Sequence, residues 1–109
     1  MAQQDTNHTG RPYDRQRLAV IYDTYHQPIY EYIYRRIGHV DTARELAADV
    51  FRALLEAVQQ GRSPAISVRA WLYRTAHNLV VDEYRRQTHR QHLDVTTLLL
   101  PVADTAADE

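Results

Sequence analysis

The 109-residue sequence contains no cysteine, which excludes a disulfide framework, a cysteine-ligated zinc site and a thiol nucleophile. Glycine and proline are scarce, at three and four residues, whereas an all-β chain needs such residues for its tight turns. No apolar run approaches the roughly 18 residues that cross a bilayer, and the polar N terminus lacks the apolar centre of a signal peptide. These absences favour a helical protein of the cytoplasm.

Lysine is absent as well, so all thirteen basic residues are arginine, and the net charge is -1. Four of the fourteen acids and none of the bases follow position 93, which leaves thirteen bases against ten acids, a balance of +3, in the rest of the chain. A planar guanidinium suits phosphate and base contacts better than an ammonium group does. The arginine count is compatible with a nucleic-acid partner, but a charged, solvated surface explains it equally simply.

The first predicted helix begins near Asp14, whose carboxylate can cap the first turn, and ends before Gly38, a good helix stop. Its apolar positions recur at helical spacing: Leu18, Ile21, Tyr22, Tyr25, Ile29, Ile33 and Ile37. Pro28 interrupts this pattern and should kink the helix or split it just before that residue. The chain ahead of the helix is polar, and we expect residues 1–13 to be a disordered N-terminal segment.

The second predicted helix has Asp41 as a suitable N-cap and Gly61 as a stop. Its apolar stripe consists of Ala43, Leu46, Ala47, Val50, Leu54, Ala57 and Val58. A loop marked by Pro64 follows, and Ser67 can cap a third helix that runs to about His92. The buried side of this third helix is predicted to hold Leu72, Ala76, Leu79 and Val80.

These elements predict an all-α fold, a compact bundle of three helices, or of four if the first one splits at Pro28. The helical domain is expected to span residues 14–92. Residues 93–109 are expected to form an acidic tail or the start of a linker to another domain.

Residue sets for catalysis are missing from the sequence. The three glycines are isolated, whereas a phosphate-binding loop needs them clustered. The six histidines are scattered, and the pair at helical spacing, His89 and His92, has no third ligand in view. We therefore expect neither an enzyme nor a cofactor or metal site.

Two helices carry polar stripes. On the second helix the stripe holds Glu45, Asp49, Arg52 and Glu56. It fits either an ordinary solvated face or a strip that orients a partner helix. On the third helix the stripe contains no acid and holds Arg74, His77, Asn78, Val81 and Arg85. It fits either a plain arginine-rich surface or a nucleic-acid face, on which an amide reads a base edge between guanidiniums that hold phosphates.

Three runs of sequence carry a resemblance to a known family. They are YDTYHQPIYEYIYRRIG, DTARELAADVFRALLEA and VRAWLYRTAHNLVVDEYRR. Together they resemble region 2 of the extracytoplasmic-function sigma factors over about Leu18 to Arg90. The most specific part is Arg69–Arg86, which reads R-A-W-L-Y-R-x-A-x-N-L-x-x-D-x-x-R-R.

The resemblance implies a non-enzymatic role in transcription initiation. The second helix would dock on the clamp helices of the large subunit of core RNA polymerase, through Glu45, Asp49, Phe51, Arg52 and Leu55. The third helix and the loop before it would bind the single-stranded minus-ten promoter element, through Arg62, Ser63, Trp71, Arg74, His77, Asn78, Arg85 and Arg86. One base turned out of the stack would be captured near that loop. An anti-sigma factor is a further partner that the resemblance implies.

Two other hypotheses stay open from the sequence alone. The chain ends near the point where such a factor would begin its interdomain linker. The main alternative is therefore a free-standing sigma-like regulator or decoy, which binds polymerase or an anti-sigma partner without initiating transcription. The other is a helical structural domain without a nucleic-acid role. The sequence also departs from the family pattern at Arg44, where the family has an acid, and at Ala48, where it has glutamine or a similar residue.

Overall fold

The structure, a computed structural model, describes the backbone of residues 13–98 and the side chains of residues 13–91. In this range it contains three helices, α1 (Arg15–Ile37), α2 (Val40–Gln59) and α3 (Val68–Leu98). Each helix contacts both of the others, so that they form a bundle. The predicted all-α fold is confirmed, while the predictions for residues 1–12 and 99–109 lie outside the described part of the chain. No helix of that part has an apolar stretch long enough to cross a membrane.

Helix α1 begins and ends at the predicted residues. The Asp14 carboxylate accepts a hydrogen bond from the Arg17 amide at 2.8 Å, which caps the first turn. At the other end Gly38 has a φ of 79°, and its amide donates to the Tyr34 carbonyl at 2.8 Å. Residues with a side chain rarely adopt such a φ, which explains the glycine at this position.

Pro28 lies inside α1 without dividing it, so the bundle has three helices rather than four. Proline lacks the N–H that would bond to the fourth preceding carbonyl, and this weakens a helix locally. Tertiary packing compensates, because Ile21 before Pro28 and Ile29 and Ile33 after it belong to one buried cluster. Both halves of α1 are therefore held against the same core.

Helix α2 begins earlier than predicted. Its N-cap is His39, whose backbone is extended and whose carbonyl accepts a hydrogen bond from the Ala43 amide at 2.9 Å. The prediction of Asp41 as the N-cap was wrong, because a single residue separates Gly38 from the first residue of α2 and the new helix must begin at once. Asp41 lies in the first turn instead, where a negative charge interacts favourably with the free amides.

The loop between α2 and α3 is fixed at both ends. At its start the Arg62 amide donates to the Ala57 carbonyl at 2.7 Å and the Gly61 amide to the Val58 carbonyl at 3.2 Å, the two bonds of a Schellman motif. At its end the Ser67 hydroxyl accepts from the Ala70 amide at 3.1 Å, which confirms the predicted cap. The Tyr13 hydroxyl also donates to the carbonyl of buried Pro64 at 2.9 Å.

The core takes one apolar stripe from each helix. Its largest fully buried side chains are Ile29, Ile33, Val50, Leu54 and Leu72. Of the buried side predicted for α3, Leu79 is only half-buried and packs at the margin of the core, and the other three positions are buried.

Helix α3 also continues to Leu98, six residues beyond its predicted end at 92. No glycine or proline stands between Val68 and Pro101, so nothing in the sequence stops the helix earlier.

Gly61 provides a test of the loop geometry. Its φ is 73°, and an added Cβ would meet no atom within 4 Å, so a side chain there costs conformational energy alone. We expect Gly61→Ala to lower the free energy of unfolding by about 1 kcal/mol. Gly61→Asn is the matched control and should lose less, because asparagine tolerates this backbone conformation. Urea denaturation measures both variants. Equal stability of the alanine variant and the parent would contradict the left-handed backbone conformation assigned to Gly61.

Candidate functional site

The outward side of α3 carries three aligned polar side chains, Arg74, Asn78 and Arg85, which we call the reading stripe. All three are exposed. The side chains of Arg74 and Asn78 form no hydrogen bond or ion pair with any residue that the structure describes. Arg85 lies 3.9 Å from Asp82 in a pair whose side chains are both largely exposed, so that the attraction is weak. The amide and both guanidiniums are thus available to a ligand.

A groove opens where the reading stripe meets the loop before α3. Its volume is about 400 Å³, and it is lined by Pro64, Ala65, Ile66, Ser67, Ala70, Trp71 and Arg74. We call it the loop groove. Ile66 is 97% exposed, and half-buried Trp71 also lines the groove. An apolar wall beside a guanidinium is suited to a planar base that remains attached to its phosphate.

The two loop residues singled out from the resemblance do not line this groove. The Arg62 guanidinium donates to the side-chain oxygen of Gln60 at the end of α2. Ser63 is half-buried beside it in the chain. Pro64, Ala65 and Ile66 contribute to the groove instead, and the signal that could have found them is this run of three apolar residues between two serines.

Arg86, unlike the residues of the reading stripe, forms an ion pair with a buried acid. The Glu83 side chain is 11% exposed and lies 3.0 Å from the Arg86 guanidinium and 3.8 Å from that of Arg90. The Gln87 amide donates to the same carboxylate at 3.1 Å. Arg86 thus pairs with a buried carboxylate while its own side chain stays exposed, and its predicted contact with DNA stays a prediction.

His77 lies between the reading stripe and α1. It is exposed, and its Nδ1 is 3.5 Å from the Tyr32 hydroxyl, at the long limit of a hydrogen bond. Of the predicted DNA-binding residues, the structure thus brings Trp71, Arg74 and Asn78 together at the loop groove and the reading stripe. Arg85 lies two turns further along the same face.

The second candidate surface lies on α2. Glu45 and Arg52 are exposed, and the Arg52 guanidinium binds the half-buried Asp49 carboxylate at 2.8 Å. Leu55 is 45% exposed beside them. Phe51 is nearly buried, because its ring packs edge to face against Tyr22 of α1 at 5.1 Å.

Tyr22 is a surface residue that the sequence prediction placed in the apolar stripe of α1. It is 48% exposed, and together with Leu55 it gives this side of the molecule an apolar contact area. We use docking face for Tyr22, Glu45, Asp49, Arg52 and Leu55.

A second groove, of about 420 Å³, separates α1 from α2 next to the docking face. It is lined by Tyr22, His26, Gln27, Tyr30, Arg44, Ala47, Ala48 and Phe51. The small side chains of Ala47 and Ala48 leave this space open, and the rings of Tyr22 and His26 stack at 4.7 Å along its wall. Arg44 is exposed and has no acidic partner among the described residues.

No group of three histidine, aspartate or glutamate side chains within the described range is arranged to hold a metal ion. The chemistry that these surfaces offer is recognition through charge, hydrogen bonding and ring contacts.

Comparison with known proteins gives one family and several relatives. Residues 21–90 match the model of the family described as Sigma-70 region 2. The RNA polymerase sigma factor YlaC of Bacillus subtilis is 34% identical over 82 residues, which cover 75% of this chain and 47% of that protein. The ECF RNA polymerase sigma factor BldN of Streptomyces coelicolor is 35% identical over 77 residues, which cover 71% of this chain and 28% of that protein.

A further relative, the ECF RNA polymerase sigma factor SigW of Bacillus subtilis, is 34% identical over 82 residues, or 74% of this chain and 43% of that protein. The chain thus spans about half the length, or less, of these curated relatives. No solved structure matches it significantly.

The burial of Glu83 can be tested against its neighbour Asp82. Glu83→Gln removes the charge that holds two guanidiniums, and we expect a loss of about 1 kcal/mol or more in the free energy of unfolding. Asp82→Asn is the matched control, since it removes the same charge from an exposed pair, and its effect should be about 0.5 kcal/mol or less. Denaturant unfolding compares the two, and equal losses would show that Glu83 is not a structural anchor.

Proposed function

Because this chain belongs to the sigma-70 region 2 family, we propose that it acts in transcription initiation by binding core RNA polymerase and the melted minus-ten promoter element. The observation that carries the DNA half of the proposal is the reading stripe beside the loop groove: two guanidiniums and an amide, free of strong partners, on one exposed side of α3. The proposed role is binding without catalysis, in the cytoplasm where polymerase works.

The reading stripe contains two kinds of group, one amide and two guanidiniums, and each suits a different part of the DNA strand. Asn78 can both donate and accept a hydrogen bond, so it is suited to the edge of one unpaired base. Arg74 and Arg85 flank it and are suited to the phosphates on either side, which carry no sequence information. The complex would thus hold the strand by charge and discriminate it at one position.

The loop groove supports capture of a base outside the stack. Base stacking is lost when the promoter melts. Contact of one base with Trp71 and Ile66 would offset part of the lost stacking free energy. Arg74 lines both the loop groove and the reading stripe. A phosphate bound there would connect the captured base to the strand on α3.

The docking face supports the polymerase half of the proposal. Its charged groups, Glu45 and the Asp49–Arg52 pair, can orient a partner helix and exclude wrong partners. Its exposed apolar residues, Tyr22 and Leu55, can then be buried in the complex. Because the docking face lies on α1 and α2 and the reading stripe on α3, polymerase and DNA can bind at the same time.

The base-reading role of Asn78 can be separated from charge. Asn78→Ala should reduce discrimination at one position of a minus-ten oligonucleotide by about tenfold, since a base contact of this kind is worth about 1–3 kcal/mol. Arg85→Ala should weaken all sequences alike and lower the salt dependence of binding. Fluorescence anisotropy with single-base oligonucleotide variants measures both effects. If neither variant differs from the parent, the DNA-reading proposal fails.

The docking face can be tested with two apolar positions of α2. Leu55→Glu should weaken binding to core RNA polymerase about tenfold, because it places a charge in the buried part of the contact. Val40→Glu is the control: Val40 is similarly exposed, at 42%, but lies at the other end of α2. Binding is measured by titrating labelled chain with core polymerase, and equal losses in both variants would contradict the proposed surface.

A reconstituted transcription assay then decides between initiation and the decoy alternative. Promoter opening or stimulated transcription in the presence of the chain supports the proposal. Inhibition of another sigma factor without promoter opening would overturn it in favour of a decoy.

A further inference from the structure

Two tyrosines and two arginines form a row of ring and cation–π contacts that joins α1 to α3 beside the reading stripe. The Arg36 guanidinium lies 3.7 Å from the centre of the Tyr32 ring, and the Arg69 guanidinium lies 5.1 Å from the centre of the Tyr73 ring. The two rings contact each other edge to face at 5.4 Å. We call these four residues the arginine–tyrosine seam. Its order is arginine, tyrosine, tyrosine, arginine, with one cation at each end.

The two cations of the seam lack acidic partners, unlike four other arginines of the described chain. Arg52, Arg85, Arg86 and Arg90 each lie within 4 Å of a carboxylate. Arg36 and Arg69 are both exposed, and neither forms an ion pair with a described residue. The seam therefore carries two positive charges that nothing in the described structure neutralises.

The Arg36 guanidinium and the backbone that carries it are held in place in advance. Arg36 donates one N–H to the Tyr32 carbonyl at 2.9 Å, and the Tyr84 hydroxyl donates to the Arg36 carbonyl. Stacking on a tyrosine face fixes the plane of the guanidinium while its edge keeps further N–H groups for a ligand. Little side-chain entropy remains to be lost when an anion binds.

The seam borders the reading stripe through His77. His77 contacts the Tyr32 hydroxyl on one side and precedes Asn78 in the chain on the other. A single strand that places a base at Asn78 would therefore pass close to Tyr32, in the middle of the seam. The docking face, by contrast, includes the acidic groups of Glu45 and Asp49 on α2.

We propose that the arginine–tyrosine seam binds two backbone phosphates of the single strand whose bases lie on the reading stripe, one at Arg36 and one at Arg69. The ligand is a phosphodiester rather than a base, because each tyrosine ring already has a guanidinium over it and is in edge-to-face contact with the other tyrosine ring. The proposal rests on the DNA-binding function above, and it extends the binding surface from α3 to α1.

The test uses the full chain and a fluorescent single-stranded DNA 20-mer of mixed sequence, titrated over a series of salt concentrations. Arg36→Gln and Arg69→Gln should each weaken binding about threefold or more at low salt, and each should lower the slope of log affinity against log salt by about 0.7, the value for one phosphate on a single strand. Arg35→Gln is the matched control. It removes the same charge from the adjacent, exposed residue of α1, which has no ring contact in the seam, and its slope should match the parent's.

Two further variants of the experiment separate phosphate binding from a structural effect of the substitution and from stacking of bases on the seam. Arg36→Lys keeps the charge, so it should restore the salt slope even if the stack on Tyr32 is weakened. An abasic 20-mer keeps every phosphate, so the loss caused by Arg36→Gln should persist on it. If that loss disappears on the abasic strand, the seam holds bases and the phosphate assignment is wrong.

The outcomes distinguish this proposal from the function on which it rests. If the parent discriminates minus-ten bases but Arg36→Gln and Arg69→Gln behave like Arg35→Gln, the seam proposal is overturned and the proposed function stands. If the parent binds no single-stranded DNA, both are overturned.

Discussion

The three helices share one core, and the burial of Ile29, Ile33, Val50, Leu54 and Leu72 in it determines what each helix shows to solvent. A helix places residues on its buried side every three or four positions, so the side chains halfway between must face outward. On α2 these outward positions form the polar part of the docking face, and on α3 they form the reading stripe. The orientation of both surfaces is thus a consequence of apolar burial, and neither surface needs further structural elements to orient it.

The parts of the fold that the sequence predicts correctly are those with a local cause. Asp14, Gly38 and Gly61 act within one helical turn of themselves, through a capping carboxylate or a left-handed backbone conformation. What the sequence leaves open at Pro28 or assigns wrongly at Asp41 has a tertiary cause. Pro28 reads as a break until the core contacts of Ile29 are known, and Asp41 reads as a cap until the one-residue connection to α1 is seen.

The candidate site divides in the same way. The reading stripe follows from spacing, because Arg74, Asn78 and Arg85 lie on one helix. The arginine–tyrosine seam does not, since the ring contact that joins its two halves is between Tyr32 on α1 and Tyr73 on α3. Arg86 shows the converse: its place in the motif is apparent from the sequence, but its pairing with Glu83 depends on which face of α3 is buried.

The anchored loop has a consequence for how such a domain can diverge. Its ends are fixed by the Schellman motif at Gly61 and the cap at Ser67, and its middle by the bond from Tyr13 to Pro64. Ala65 and Ile66 between these anchors are exposed and carry no part of the core. Substitutions at these two positions can accumulate in duplicated copies of the gene at little cost in folding. The wall of the groove can therefore be altered by mutational drift while the scaffold that presents it stays the same.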